Sequence, residues 1–136
     1  MLQLSKPEIG AQGSETQGKN VQVHEASGKH LLLTLRDCQA DILNDLERLS
    51  ALTREAAEAT GATVLNLCAQ PFEPQGVTAV AILAESHASL HTYPEANLVF
   101  WDCFTCGTTC DPQKSIAVLQ AALKAEAVSF EVVSRS

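Results

Sequence analysis

The sequence predicts an α+β fold in which an antiparallel sheet carries two helices on one face. Short aliphatic segments of strand length recur along the chain. Two other segments repeat apolar residues at helical spacing behind an aspartate. The resulting order of strand, helix, three strands, helix and strand folds most economically as an antiparallel sheet covered on one side. The chain has 136 residues, 46% of them hydrophobic, which suits one core rather than two.

The beginning of the chain differs from the rest in composition. Residues 1–27 are rich in Gln, Ser, Gly and Glu and show no sustained hydrophobic period. Such a composition is typical of a flexible segment. We therefore expect a flexible extension over residues 1–27 and a single domain over residues 28–136.

The domain begins with a predicted strand and a predicted helix. Residues 29–35 are aliphatic and suit a buried first strand. Asp41 can then cap a helix that Gly61 ends. The inner face of this helix consists of apolar residues at three-to-four-residue steps: Ile42, Leu46, Leu49, Ala56 and Ala59.

Strands dominate the middle of the chain. Residues 63–67 predict a second strand, and residues 71–76 predict a turn. Residues 77–84 are apolar enough to predict a third strand that is buried on both faces. After the break at Pro94, residues 97–104 predict a further strand.

A second helix and a last strand complete the predicted domain. Asp111 can cap the helix, with Pro112 at its first position. Residues 128–133 then predict the closing strand. With both helices on one face, the other face of the sheet needs a cover. The inner stripe of the second helix is predicted to be Ile116, Leu119 and Leu123.

Composition and charge exclude several kinds of partner. The formal net charge of −7 argues against nucleic acid or an anionic membrane, because either partner needs clustered Lys and Arg. No apolar stretch approaches the ~20 residues that cross a bilayer, and the beginning of the chain lacks the order of a secretory signal. We therefore expect a cytoplasmic protein whose five cysteines are thiols.

The cysteines do not predict a metal centre. A structural zinc site usually takes two Cys-x₂-Cys pairs, or one such pair with histidines. This chain has one pair, Cys103 and Cys106, and Cys110 follows too closely to start a second. Because Cys103 and Cys106 are an odd number of residues apart on a predicted strand, their side chains should point to opposite faces.

One short region concentrates reactive side chains. A predicted strand leads into Glu85-Ser86-His87, and His91 follows in the same segment. Cys106 comes after the next predicted strand. A hydroxyl, two imidazoles, a carboxylate and a thiol are groups that carry acid–base and nucleophilic chemistry. The region therefore predicts a reaction centre.

A series of motifs surrounds this centre in a fixed order between residues 28 and 125. The motifs are Gly28-Lys29-His30-Leu31-Leu32, Gly61-Ala62-Thr63, Phe72-Glu73-Pro74-Gln75-Gly76-Val77-Thr78, Glu85-Ser86-His87, His91-Thr92-Tyr93-Pro94-Glu95, Phe104-Thr105-Cys106-Gly107 and Asp111-Pro112. In these motifs the chain resembles the bacterial S-adenosylmethionine decarboxylase proenzymes. The resemblance implies an α+β sandwich that dimerises. It also implies self-cleavage at a Glu-Ser bond, here between residues 85 and 86, with conversion of the serine into a pyruvoyl group.

The implied cofactor agrees with the chemistry of decarboxylation. Loss of carbon dioxide from an α-amino acid needs an electron sink that no ordinary side chain supplies. The Ser86 hydroxyl can attack the Glu85 carbonyl and exchange an amide for an ester. Removal of the Ser86 α-proton then releases the Glu85 carboxylate and leaves dehydroalanine, which hydrolyses to pyruvoyl. These steps need a strained backbone, a proton acceptor and a donor to the oxyanion. Pyridoxal phosphate is unsupported, because Lys29, Lys114 and Lys124 have no recognisable setting for it.

The resemblance implies roles for three further residues. His91 matches the histidine that accepts the α-proton of the serine, a task that suits imidazole near neutral pH. Thr78 stands where the family usually has a processing serine, and it keeps the hydroxyl. Cys106 matches the cysteine that returns a proton to the substrate α-carbon. His30 and His87 receive no catalytic role: His30 on the first strand suits a structural histidine, and His87, which follows the serine, could assist or simply pack.

Three residues match the substrate site of the family. Phe72 and Tyr93 correspond to the two aromatic residues beside the adenine, and flat rings stack on such faces. Glu95 corresponds to the acid that holds the ribose. These matches favour S-adenosylmethionine as substrate and its decarboxylated form, an aminopropyl donor for polyamine synthesis, as product.

Departures from the family pattern keep two alternatives open. Tyr93 replaces a tryptophan, Ala96-Asn97 replaces Tyr-Gly, and residues 108–110 replace a more acidic segment. All three changes lie on the substrate side of the implied site. A pyruvoyl-dependent decarboxylase of L-arginine or L-ornithine therefore remains an alternative, as does an unprocessed binding domain without catalysis.

Overall fold

The structure is a computed structural model that describes residues 26–136. The prediction of a flexible extension concerns residues 1–27, of which positions 1–25 lie outside the described residues. Within the described part, six strands form one sheet. The strands are β1 (Gly28–Arg36), β2 (Val64–Pro71), β3 (Val77–Leu83), β4 (Ser86–Tyr93), β5 (Leu98–Cys106) and β6 (Ala127–Arg135).

The sheet is antiparallel throughout and has the order β2-β3-β4-β5-β1-β6. Strands β2 to β5 follow one another as neighbours, because short turns connect consecutive antiparallel strands. Strand β1 lies between β5 and β6. This arrangement confirms the predicted antiparallel sheet and places β4 and β5 at its centre.

The first helix, α1 (Leu46–Ala59), begins later than the sequence predicts. Asp41 lies in a short 3-10 helix (Ala40–Ile42), so the prediction that it caps α1 is wrong. The cap is Asp45, whose carboxylate accepts a hydrogen bond from the backbone N–H of Arg48 at 3.1 Å. The Leu43 carbonyl accepts from the Thr92 hydroxyl at 2.8 Å, which ties this segment to β4 and keeps it out of the helix.

The second helix, α2 (Ser115–Leu123), also begins after its predicted cap. The Asp111 carboxylate caps a 3-10 turn (Pro112–Lys114), and α2 continues from that turn. The hydroxyl of Ser115 accepts a hydrogen bond from the Trp101 indole at 3.0 Å, which joins the start of α2 to β5. Of the predicted inner stripe, Leu119 and Leu123 are fully buried, whereas Ile116 packs at the edge of the core.

The core lies between the two helices and one face of the sheet, called here the inner face. Alternate residues of the strands supply it, such as Leu31, Leu90 and Trp101, and leucines of both helices complete it. Both helices therefore cover the same face, as predicted. Among the helices of residues 26–136, none has the length and apolar character needed to cross a membrane.

The opposite face, called here the outer face, is not covered by any helix or strand of residues 26–136. It exposes apolar side chains, among them Leu32 at 43%, Ile82 at 51% and Phe100 at 41%. The prediction that residues 77–84 are buried on both faces is therefore wrong for the single chain. Strand β3 alternates instead, with Ala79 and Ala81 buried and Ile82 exposed.

Strand β4 is absent from the sequence-based element order. Its inner positions, Ala88, Leu90 and Thr92, are buried, but its outer positions are polar. This polar alternation around the reactive motif conceals the strand, because the segment has no continuous apolar run. The outer polar side chains of β4 form much of the candidate site.

Candidate active site

The predicted cleavage point lies in the tight turn between β3 and β4. Leu83 pairs with Ser86, so Ala84 and Glu85 form a two-residue connection. Ser86 has a φ of 143°, a backbone conformation that residues with a side chain rarely adopt. The residue that follows the predicted cleavage point therefore has a strained backbone.

Both polar groups of Glu85 are held by neighbouring segments. Its carbonyl oxygen accepts a hydrogen bond from the backbone N–H of Cys106 at 2.9 Å. Its side-chain carboxylate accepts from the backbone N–H of Thr63 at 3.0 Å. The Cys106 N–H is thus a donor to the oxygen that would become an oxyanion when Ser86 attacks.

Cys106 lies beside this turn because β5 pairs with β4 through Ser86 and Thr105. Its side chain is half-buried, and strand alternation places it on the outer face with Asp102. Cys103 lies on the inner face and is fully buried. The prediction that Cys103 and Cys106 point to opposite faces is confirmed.

The predicted substrate residues gather at the other end of β4. Phe72, Thr78, His91, Tyr93 and Glu95 all line a pocket of about 310 Å³. The 72–76 turn closes this end of the sheet: the Phe72 N–H donates to the carbonyl of Gly76, which adopts a positive φ of 101°. The pocket therefore unites five residues that the sequence assigns to processing or substrate binding.

Within this pocket, Thr78 and His91 are hydrogen-bonded partners. They are opposite one another on β3 and β4, and the distance from Thr78 Oγ1 to His91 Nδ1 is 3.1 Å. The Tyr93 ring packs against Phe100, with ring centres 5.4 Å apart. The side chains of Phe72 and Tyr93 are 48% and 38% exposed, so an incoming ring can reach both.

The two groups of predicted residues do not meet in one chain. His91 follows Ser86 by five positions on the same strand. At about 3.4 Å per residue, these positions are about 17 Å apart. The histidine expected to accept the Ser86 α-proton is therefore too far from Ser86 of its own chain to do so.

A network of polar side chains runs between the two groups on the outer face. Asp102 of β5 accepts hydrogen bonds from Ser89 and, at 2.8 Å, from Nε2 of His30. Its carboxylate is also 3.3 Å from Nε2 of His87. Ser89 in turn is 3.3 Å from Nε2 of His91.

This network fixes the charge of Asp102. Burial alone would raise the pKa of the carboxyl group, but hydrogen bonds from Ser89 and His30 and the nearby imidazoles of His87 and His30 outweigh it. The pKa of Asp102 therefore lies below its ordinary value, and the group is ionised at neutral pH.

The sequence-based reasoning missed Asp102 and Ser89. Their signal is the strand register, in which Ser89 and Asp102 are directly opposite one another and His30 falls on the same face. The register can be predicted only if β4 is recognised as a strand, and the polar composition of β4 prevented that recognition.

Among residues 26–136, one group of three side chains in this network could hold a metal ion. His30, His87 and Asp102 bring one donor atom each to within 4.8 Å of one another. These donor atoms already satisfy one another by hydrogen bonding. The Cys103 thiol is a poor metal ligand, because burial, then Asp102 and Cys110, raise its pKa to about 12 and a metal binds the thiolate.

Comparison with known proteins identifies the family. Residues 29–136 match the protein family described as S-adenosylmethionine decarboxylase. The chain belongs to this family. It is 50% identical over 99 residues to an S-adenosylmethionine decarboxylase proenzyme of Brevibacillus brevis, covering 73% of this chain and 74% of that one. A proenzyme of the same name from Symbiobacterium thermophilum is 43% identical over 108 residues, which cover 79% of this chain and 82% of the relative.

A solved structure is similar to this fold. The crystal structure of the adenosylmethionine decarboxylase from Aquifex aeolicus VF5 superposes with a TM-score of 0.73 at 29% sequence identity. The match covers 80% of this chain and 90% of that one. The resemblance inferred from the sequence motifs is therefore confirmed at the level of the family and the fold.

Proposed function

We propose that this chain is a proenzyme that cleaves itself between Glu85 and Ser86 and then decarboxylates S-adenosylmethionine. Ser86 becomes a pyruvoyl group in the process. The product, decarboxylated S-adenosylmethionine, serves as an aminopropyl donor in polyamine synthesis. Family membership supports the reaction class, and the geometry of the turn supports the position of the cleavage.

The observation that carries the proposal is the setting of the Glu85–Ser86 bond. Ser86 has a strained φ of 143°, and the preceding carbonyl is held on the Cys106 N–H at 2.9 Å. Strain raises the energy of the starting peptide, and the N–H stabilises the negative charge that develops during attack. Serine, oxyanion donor and strain therefore coincide at one bond.

The residues present fit a pyruvoyl group at position 86. When formed, such a group supplies the electron sink that loss of carbon dioxide needs. Cys106 lies on the neighbouring strand, next to the residue paired with Ser86. Its thiol is the general acid that returns a proton to the substrate α-carbon.

The pocket at the other end of β4 binds the substrate. Phe72 and Tyr93 offer exposed aromatic faces to the adenine, and Glu95 offers a carboxylate to the ribose hydroxyls. A basic amino acid has no ring to stack on these faces. S-Adenosylmethionine is therefore preferred to L-arginine or L-ornithine.

The active form is a homodimer in which the outer faces of two sheets pack together. This pairing removes exposed apolar side chains such as Leu32, Ile82 and Phe100 from water. A two-fold axis that runs between the sheets and across the strands would bring the Ser86 end of β4 over the His91 end of the partner strand. The partner then supplies His91 and Thr78 to Ser86, which resolves the separation of about 17 Å within one chain.

The experiment for the overall function joins mass spectrometry to an assay of carbon dioxide release. We expect fragments 1–85 and 86–136, the second with a pyruvoyl terminus, and an intact chain for Ser86→Ala. The cleaved protein, without added cofactor, should release carbon dioxide from S-adenosylmethionine faster than from L-arginine or L-ornithine. An intact wild-type chain would refute the self-cleavage, and preference for a basic amino acid would refute the substrate assignment alone.

A further inference from the structure

We infer that His87, held by Asp102, is the base that removes the hydroxyl proton of Ser86 in the first step of self-cleavage. This inference rests on the proposed cleavage between Glu85 and Ser86. It adds a residue to which neither the sequence motifs nor the comparisons assign a role. The supporting observations are the contacts on the two sides of the His87 ring.

The first contact fixes the tautomer of His87. Its Nε2 is 3.3 Å from Asp102 Oδ2, and a carboxylate oxygen accepts a hydrogen bond there. The proton of neutral His87 therefore resides on Nε2. Its Nδ1 is left with a free lone pair.

The second contact directs that lone pair at the nucleophile. Nδ1 of His87 is 3.4 Å from Oγ of Ser86. This distance is at the long end for a hydrogen bond, as is common for catalytic contacts before the reaction begins. Ser86, His87 and Asp102 thus form a hydroxyl–imidazole–carboxylate series, the arrangement that activates a serine nucleophile.

The remaining neighbours of His87 hold this arrangement in place. The His30 ring lies edge-on at 5.8 Å, and the Phe104 ring lies at 6.1 Å. His30 donates from Nε2 to Asp102 at 2.8 Å, and its Nδ1 accepts from Arg135 at 3.3 Å. His30 is therefore held between Arg135 and Asp102, and its hydrogen bonds go to these two residues and not to Ser86.

The proton transfers balance without any further reactant. His87 Nδ1 takes the Ser86 hydroxyl proton while Oγ bonds to the Glu85 carbonyl carbon, and the carbonyl oxygen becomes an oxyanion on the Cys106 N–H. Asp102 stabilises the imidazolium that forms. The bond from the Glu85 carbonyl carbon to the Ser86 nitrogen then breaks, the oxyanion returns to a carbonyl, and His87 gives its proton to the departing nitrogen. The result is an ester with a free amino group on Ser86.

The role of His87 differs from that of His91 in the step it serves. His87 acts before the ester forms, whereas His91 acts on the α-proton after it has formed. Hydroxylamine distinguishes the two steps, because it cleaves an ester between residues 85 and 86 but leaves the peptide bond intact. The test uses the full chain, freshly purified, with denaturing electrophoresis before and after hydroxylamine.

We expect His87→Gln to slow ester formation by about 100-fold or more, in line with the contribution of a general base. This variant should remain intact with hydroxylamine, whereas His91→Gln should accumulate an ester that hydroxylamine cleaves. Added imidazole should restore part of the cleavage to His87→Ala, which a purely structural role would not allow. His30→Gln is the matched comparison, since it removes the other ring from the same carboxylate, and its slowing should be at least tenfold smaller.

Three results would overturn the inference. One is cleavage of His87→Gln at a rate within about threefold of the wild type, another is a hydroxylamine-sensitive ester in that variant, and the third is a failure of imidazole to accelerate His87→Ala. Thermal unfolding midpoints within a few degrees of wild type verify that each variant is folded. If the wild-type chain itself is never cleaved, the proposed function fails instead, so the two failures are distinguishable.

Discussion

The two ends of β4 carry different parts of one reaction. At the Ser86 end, the chain holds a strained residue, an oxyanion donor and a thiol. At the His91 end, it holds a pocket with a hydrogen-bonded threonine and histidine. The first end has the nucleophile but lacks the proposed acceptor of its α-proton, and the second end has the acceptor but lacks the nucleophile.

The difference teaches that a single sheet cannot complete the proposed site. The backbone of a strand is extended, so the backbone positions of residues five apart lie about 17 Å from one another. Rotation of the side chains does not change this backbone distance. The outer face, which the elements of residues 26–136 leave exposed, provides a way to unite the two ends between two chains. The first two predictions below each concern one end of β4, and the third concerns the polar network between the ends.

Cys106→Ala should have the largest effect on turnover. We expect cleavage of the chain to continue, because the backbone N–H that holds the Glu85 carbonyl remains. Decarboxylation should fall by about 10²- to 10⁴-fold, the usual contribution of a general acid. Carbon dioxide release per cleaved chain measures the effect, and undiminished release would remove Cys106 from the mechanism.

Phe72→Ala should affect the other end and act on substrate binding. Loss of an aromatic face beside a base costs about 1–3 kcal/mol, so we expect KM for S-adenosylmethionine to rise by about 10-fold or more. Cleavage between residues 85 and 86 should be retained. Phe130→Ala is a matched control, because Phe130 is also an exposed aromatic residue but lies on β6, outside this pocket. Equal KM values for Phe72→Ala and Phe130→Ala would contradict the pocket assignment.

Asp102→Asn should have the smallest effect. It should change how the stability of the fold depends on pH. Because the pKa of Asp102 is lowered in the folded state, the ionised group stabilises the fold above its unfolded pKa of about 3.9, and this contribution is lost as the pH falls through the folded pKa. Relative to Asp102→Asn, the protein should therefore lose stability in acid. Thermal unfolding in a Ser86→Ala background, where all chains are intact, measures the difference, and a difference that does not change between neutral and acidic pH would contradict it.

The fold was largely predictable from the sequence, because its strands and helices are marked by aliphatic runs and helical periodicity. β1 and the inner stripe of α2 are examples. β4 was not predictable in this way, since apolar and polar residues alternate in it and no aliphatic run marks it. The start of α1 was misplaced because Thr92, distant in sequence, binds the Leu43 carbonyl.

The candidate site was predictable only in part. Motifs predict roles for Ser86, His91 and Cys106, since each lies in a recognisable sequence context. The contacts of Asp102 with Ser89 and His87 depend on how β4 and β5 pair, which composition does not reveal. The distance between Ser86 and His91 could not be predicted without knowing that both lie on one strand. In a turn, residues five positions apart in sequence would lie close together.

The central claim is that two chains complete each site, and co-expression of two inactive variants tests it most directly. A Ser86→Ala chain keeps His91, and a His91→Ala chain keeps Ser86. When the two are co-expressed with different tags, we predict that the His91→Ala chain is cleaved in the mixed dimer and that neither variant is cleaved when expressed alone. Mixed dimers that can be isolated through both tags, and in which both chains stay intact, would contradict the account.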